Sequence, residues 1–330
     1  MDNENQPLVS IGIPVYNGEK GLARALDSVL GQGYRNLEII ISDNGSTDIT
    51  QEICGKYAQQ DSRIKYFRSE KNLGGIWNFN QVFKLSTGKY FMWAAHDDIL
   101  EKSFVAECVE KMEKCPDAVL CHSHTAMYLG EEMICLVSLD SFSEAKDLVD
   151  RFQKVREYPP ATALYGLYRS SAMRKTGLFQ KILGGELCFL QELSIYGDFI
   201  QVSKILFNYI NREKWNDVDR DYYVLFGKKE KPLLYFPFLI LFFNHCVRIL
   251  HSNISLSLKF RLWGILIVQE IKQGALKVLI KVAGRICPDR LKKKVGLTIY
   301  WRWMHSPDIE VRHEDLYLER IIMPKLGWWN

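Results

Sequence analysis

The stretch Tyr90 to Asp98, YFMWAAHDD, constrains the fold of this chain more than any other. Its apolar run opens two residues after Gly88, leaves no room for a helix and stops at two adjacent carboxylates. A run of that kind reads as a buried strand, whose only place for charge is its end. Open α/β sheets bind ligands outside the carboxyl ends of their strands, so His96, Asp97 and Asp98 are expected at a ligand edge. Paired acids there suit sugar hydroxyls and a hard divalent cation that bridges phosphates. The same pair equally suits an acidic turn capping the helix predicted over Glu101 to Lys114.

The residues before this stretch repeat one pattern. Strands are predicted over Leu8–Val15, Leu37–Ser42 (ending in Asp43) and Ile64–Phe67. Between them lie helices over Lys20–Leu30, from the turn Asn44–Asp48 to Tyr57, and over Trp77–Leu85. Leu22, Ala25, Leu26, Val29 and Leu30 share one face of the first helix. The alternation predicts an α/β fold, a mostly parallel sheet with helices on both faces. Further on, helices are expected over Ser143–Glu157 and Glu186–Tyr196, and strands over Ala118–His124, Met133–Leu139, Phe199–Val202 and Ile205–Ile210.

From Pro232 the texture becomes apolar and basic. Leu233–Phe243 and Leu256–Val268 fall short of the roughly 20 apolar residues a membrane-spanning helix needs, and read as surface-lying or docking helices. Between His251 and Tyr300 stand ten Lys or Arg against two acids, Glu270 and Asp289, although the whole chain carries only +4. We therefore divide the chain into an α/β domain over 1–230, with a ligand half to about 115 and a second half to 230, and a helical, basic-amphipathic extension over 231–330. Met1–Pro7 is polar and acidic, and the eight cysteines form no CxxC pair, so a cytoplasmic chain with free thiols is expected. Cys115, Cys121, His122 and His124 lack the spacing of a closed zinc site.

Three ordered blocks, IGIPVYNGEKGLARALDSVLGQ, LEIIISDNGSTD and NLGGIWNFNQVFKLSTGKYFMWAAHDD, resemble the successive signatures of inverting family-two glycosyltransferases with the Rossmann-like GT-A fold. The resemblance covers Val9 to about Arg212. It implies that Pro14, Val15 and Tyr16, with Glu19 nearby, form the loop that lines a nucleotide base. Asp43 matches the acid that bonds the base, Asp97 the acid on the ribose side, and Asp98 the ligand of Mg²⁺ or Mn²⁺ on the diphosphate. Glu186, opening a helix after Gly184-Gly185, matches the general base, with Glu192 as a rival and an ordinary first-turn acid as the other reading. The family more often has Asp there, and Ala94-Ala95-His96 lacks the first acid of a full D-x-D. The family's Arg-x-His after its last strand is replaced by Asn211-Arg212-Glu213-Lys214, so Arg212 or Lys214 is the expected diphosphate contact; Lys71 is either a base or phosphate contact or a solvated lysine.

The implied function is transfer of a sugar from a nucleotide sugar, UDP-linked by preference, to a hydroxyl of a glycan or lipid-linked saccharide, with inversion, in cell-surface polysaccharide or glycolipid assembly. Nucleic acid is not an expected partner. The basic extension is expected to lie on an anionic membrane surface, peripherally on its cytoplasmic face, or to pack on the catalytic domain or a second subunit. A pyrophosphorylase or a dinucleotide-dependent oxidoreductase would need a Gly-rich loop where Pro14-Val15-Tyr16-Asn17-Gly18 stands. A catalytically silent scaffold subunit is the remaining alternative, and four retained carboxylates, Asp43, Asp97, Asp98 and Glu186, weigh against it.

Overall fold

A computed structural model describes residues 6–138, 144–157, 161–182, 185–211, 237–268, 271 and 309–311. The apolar runs form strands as their patterning requires. β1 (Val9–Val15), β2 (Leu37–Asp43) and β4 (Tyr90–Trp93) are buried along their whole lengths, and β3 (Ile64–Arg68) borders β2. These four strands run parallel in the order β4-β1-β2-β3, which puts the ends of β1, β2 and β4 on one edge.

Side-chain alternation divides the core between the two faces of the sheet. Tyr90 and Met92 pack with Leu22, Leu26 and Val29 of α1 (Leu22–Leu30) and with Phe104 and Val105 of α4 (Phe104–Lys114). Phe91 and Trp93 pack on the other face with Ile76, Val82 and Phe83 of α3 (Gly75–Lys84). Each such fully buried side chain contributes about 1.5–3 kcal/mol. α2 (Thr50–Gln60) crosses from β2 to β3.

The second half of the sheet is mixed. β6 (Ala118–Leu129) pairs antiparallel with β7 (Glu132–Val137) and with β8 (Leu167–Arg169), which joins it to β4. On β6 also lies β9 (Asp198–Asn211), parallel, and β10 (Ile309–Val311) borders β7. The two strands predicted over 199–210 are thus one. Val202 pairs with Ser123 and Ile205 with His124, so the polar pair Ser203-Lys204 is a bulge in a continuous strand. β5 (Ile99–Leu100), absent from the sequence reading, also pairs with β9. β4 ends at Trp93, and α4 begins at Phe104 with Ser103 as its N-cap residue. Asp97 and Asp98 therefore stand in a loop between two strands and do not cap a helix.

Helices α5 (Leu148–Glu157) and α7 (Gly185–Leu193), with the short α6 (Ser170–Met173) before the latter, lie beyond this sheet. Helix α5 starts five residues later than expected from the sequence. Onto α5 and α7 pack α8 (Pro237–His251) and α9 (256–268), through Phe152, Ile195, Ile249, Leu262 and Leu266. Among the described residues no helix is long and apolar enough to cross a membrane. Arg212, Lys214, Gly184 and the basic stretches from Lys272 to Trp303 lie outside the described residues.

Candidate functional site

The common edge of β1, β2 and β4 opens into a cleft of about 370 Å³. Pro14, Val15 and Tyr16 line it from the end of β1, and Ala95, His96, Asp97 and Asp98 from the loop after β4. The sequence expected all but Ala95 at this edge. Asn44 enters from the end of β2, Asn78 and Phe79 from α3, Tyr165 from the 3-10 turn Ala161–Tyr165, and Tyr209 and Ile210 from β9. None of these six was singled out from the sequence, though Tyr165 falls in the segment following Pro159-Pro160.

The loop after β1 is strapped to the loop after β2. Asn17 N–H donates to Ser46 Oγ at 2.9 Å, Gly18 N–H to Thr50 Oγ1 at 2.8 Å and Glu19 N–H to Asp48 Oδ2 at 3.1 Å. Gly18 has a steric reason to be glycine: a Cβ there would lie 2.5 Å from Val15 Cγ2 and 3.0 Å from His96 Cδ2. His96 thus packs over the first loop while bordering the cleft. Arg24 of α1 donates to the Asp97 carbonyl at 3.4 Å and ties the second loop down.

Asp43, the expected base-binding acid, sits one residue from the cleft with its carboxylate turned to the chain's own donors. It is 0% exposed, and accepts from Arg68 Nε at 2.9 Å, Tyr66 Oη at 3.1 Å and Ser46 N–H at 2.9 Å. Its neighbour Asn44 lines the cleft instead, held by Leu73 N–H at 2.9 Å and donating to Asn72 Oδ1 at 2.9 Å. Asn78 fastens the floor, donating to the Ser42 carbonyl at 2.9 Å and the Val15 carbonyl at 3.2 Å. Glu19 and Lys71 are exposed and do not line the cleft.

Asp98 is nearly buried, and its Oδ1 accepts from the Ile210 N–H at 2.8 Å. Desolvation raises the Tyr165 and Tyr209 phenols far above their ordinary pKa, and the charges of Asp98 and Asp97 push both further. Glu186 acts on Tyr165 in the same sense, more weakly than the loop acids, and is not among the residues that line the cleft. Glu186 retains solvent contact, yet the protein around it desolvates its charged form and raises its pKa; its own backbone N–H opposes this. Its helix is anchored to the sheet by an aromatic cluster around Trp93, the last residue of β4, with Phe189 at 5.4 Å and Phe179 at 4.8 Å between ring centroids. Glu192 faces the other way: it is 5% exposed and accepts from the Gly177 N–H at 3.0 Å.

Among the described residues no three His, Cys, Asp or Glu side chains converge to hold a metal unaided. Asp97 and Asp98 with His96 beside them nonetheless fit a hard cation of the Mg²⁺ kind, which takes one or two carboxylates and completes its shell with water and substrate phosphates. The described cysteines are free thiols, as expected.

Residues 10–132 match the model of the family described as Glycosyl transferase family 2. An uncharacterized glycosyltransferase of Rickettsia typhi is 31% identical over 216 residues, covering 63% of each chain. Glycosyltransferase GlyG of Streptococcus pneumoniae is 32% identical over 114 residues, 34% of this chain and 38% of that one. The chain thus spans less than two thirds of the length of these relatives. Among solved structures, S. aureus TarS 1-349 in complex with UDP-GlcNAc aligns with a TM-score of 0.60 at 18% identity, over 79% of this chain and 71% of that one. A mannosyltransferase from Pyrobaculum calidifontis in complex with GDP-Man and Mn²⁺ aligns at 0.52 and 12% identity, over 99% and 89%.

Proposed function

Given that residues 10–132 are a glycosyl transferase family 2 domain on a GT-A sheet, we propose that the chain moves a sugar from a nucleotide sugar to an acceptor hydroxyl with inversion. The observation that carries the reading is the pair Asp97 and Asp98 in the wall of a cleft that Pro14, Val15 and Tyr16 line from the end of β1. A donor diphosphate needs acids at a cleft wall, and Glu186, at the start of α7, is the base this reading supplies for the acceptor.

Pro14, Val15 and Tyr16 pack on the nucleotide base, Asp43 at the end of β2 is the acid on the base side, and Asn44 beside it, held by Leu73 N–H, lines the cleft there. Asp97 takes the ribose side. Mg²⁺ or Mn²⁺ bound by Asp98 supplies Lewis-acid neutralisation of the diphosphate. Arg212, outside the described residues, is a further diphosphate contact on this reading; Lys71 and Glu19, away from the lining, have at most an indirect part. The Glu186 carboxylate takes the proton of the acceptor hydroxyl, the oxygen attacks the anomeric carbon, and the bond from that carbon to the phosphate oxygen breaks with its electron pair leaving on the nucleoside diphosphate. A carboxylate whose pKa is raised by desolvation is the stronger base, provided the pH stays above that pKa.

UDP is the favoured nucleotide, since a neighbour of this fold binds UDP-GlcNAc, and GDP is the competitor because another binds GDP-Man. The acceptor class is a glycan or lipid-linked saccharide of cell-surface assembly. Peripheral attachment to an anionic membrane fits the outer faces of α8 and α9. There Phe243, Val247, Leu250, Leu256 and Phe260 are 47–64% exposed, α9 carries Lys259 and Arg261, and residues 237–268 hold no acid. Co-sedimentation with phosphatidylglycerol vesicles and not with phosphatidylcholine vesicles is the expected result.

Titration calorimetry with UDP, GDP and dTDP, with and without Mn²⁺, tests the donor site; heat from none of them leaves the silent-scaffold alternative. NMR of the product anomer tests inversion, and retained configuration would refute direct displacement.

A further inference from the structure

Helix α7 carries more buried polar groups than a packing contact requires, and all lie on the side away from Glu186. At 100° per residue, Cys188 and Glu192 share one face and Glu186 projects from roughly the opposite one. Both face α8. Cys188 Sγ lies 3.4 Å from His245 Nε2, which also accepts from Arg156 Nη1 of α5 at 2.8 Å. One turn on, Glu192 Oε2 lies 3.9 Å from Arg248 Nε and accepts the Gly177 N–H. Arg248 lies so close over Gly177 that a Cβ there would come within 1.9 Å of its Nη1. His245 is 3% exposed and Glu192 5%.

Apolar contacts would suffice to keep these helices together, and a buried acid beside a long ion pair adds little stability. Polar contacts constrain direction, however, and the Cys188–His245 contact, with Arg248 seated over Gly177 beside Glu192, fixes what an apolar contact leaves loose: the rotation of α7 about its own axis. A slip of one residue would turn Glu186 by about 100°. On the opposite flank the ring of Phe189 against Trp93 fixes how far α7 stands from the end of β4. The burial of His245 holds it neutral, and Cys188 stays a thiol, so the contact between them persists through the neutral range.

We propose that α8, through His245 and Arg248, is a positioning element of the transfer site, locking the rotation of α7 that presents Glu186 to the acceptor. The inference rests on the reading of Glu186 as base. It gives the C-terminal extension a part in the chemistry that is separate from surface binding: the outer face of α8 is free for a membrane while its inner face holds the catalytic helix.

The test uses the full chain with Mn²⁺ and UDP-GlcNAc or GDP-mannose, reading nucleoside diphosphate release and amide exchange over 185–193. In Arg248→Ala, kcat is expected to fall by up to ~10²-fold, the effect of a misplacement of about an ångström, while KM for the donor stays within about twofold. Exchange over 185–193 is expected to accelerate by about tenfold, with the parallel strands still protected. Arg248→Lys, which keeps the charge toward Glu192, restores most of kcat. Glu192→Gln, which keeps an acceptor for Gly177 and folds more readily, shows the same pattern more weakly. Unchanged exchange and kcat in an active wild-type background would overturn the inference alone. A chain-wide loss of protection with kcat and donor affinity falling together would overturn it too, in favour of plain stabilisation. Wild-type protein that turns over neither donor would overturn the transferase reading and this inference with it.

Discussion

The two ends of β2 both carry a buried acid, and only one end is next to a site. At the amino end Glu38 is 5% exposed; its carboxylate accepts from Ser10 Oγ, from Thr87 N–H at 2.6 Å and from Lys65 Nζ at 2.7 Å. Burial alone would raise its pKa, but the bonds from Lys65, Ser10 and Thr87 outweigh it and bring the group down to about 2. At the carboxyl end Asp43 is just as saturated, and the cleft begins with the next residue, Asn44. Asp97 and Asp98, across that edge, stand in the cleft wall. Burial of a carboxylate is therefore no sign of function in this sheet. What separates the two ends is strand direction: the parallel strands converge their loops on one edge, and the chain's own donors fill the other.

The comparison breaks most sharply at Asp98. Asp98→Asn keeps an acceptor for the Ile210 N–H and removes the charge, so donor turnover with Mn²⁺ is expected to fall by ~10³-fold or more, with a melting temperature within a few degrees of wild type. A variant retaining a tenth of the activity would remove Asp98 from the chemistry. Glu186→Gln follows, with kcat lower by ~10²–10⁴-fold and nucleotide affinity unchanged by calorimetry. Because desolvation raises the Glu186 pKa, kcat should be full at high pH and fall as pH drops through a midpoint above the ordinary glutamate range. A midpoint below that range would assign the limb to another group.

At the opposite end the effect is one of stability. Glu38→Ala orphans the buried Ser10 hydroxyl and the Thr87 N–H, and urea denaturation should show a loss of about 2–4 kcal/mol while kcat per folded molecule is unchanged. The smallest effect belongs to His245, whose pKa burial and the nearby Arg156 lower to about 3. Below about pH 6.5 the unfolded chain binds a proton that the folded chain refuses. Stability from neutral His245 is thus whole above that pH and is lost toward pH 3, with a limiting slope of about 1.4 kcal/mol per pH unit. Urea midpoints between pH 7 and 5 should fall less in His245→Gln than in wild type.

The site was legible where its residues end strands and hidden where they reach the cleft from elsewhere. Asp97, Asp98 and Pro14 to Tyr16 follow apolar runs, and a run that stops at polar residues reports its own carboxyl end. Asn78 sits within a helical pattern, Tyr165 in a 3-10 turn, and Tyr209 near the end of a strand whose bulge at Ser203-Lys204 reads as a break. No local signal marks them, because what brings them to the cleft is packing between segments distant in the sequence, such as Asn78 on Ser42 and Val15.

Sequence alone determined the parallel β-α alternation, the edge at which the loops after β1, β2 and β4 gather and the helix that Glu186 opens, since apolar periodicity and strand direction are local properties of the chain. Tertiary structure alone decided which acids face the cleft. LEIIISD carries Glu38 and Asp43 in one strand and GELCFLQEL carries Glu186 and Glu192 in one helix, and position within the element does not say which distant group each of them meets. Their roles depend on whether Lys65, Arg68 or Arg248 arrives from a distant segment to meet the charge. The partners of a carboxylate are a tertiary property, because they arrive from segments that the local pattern does not specify.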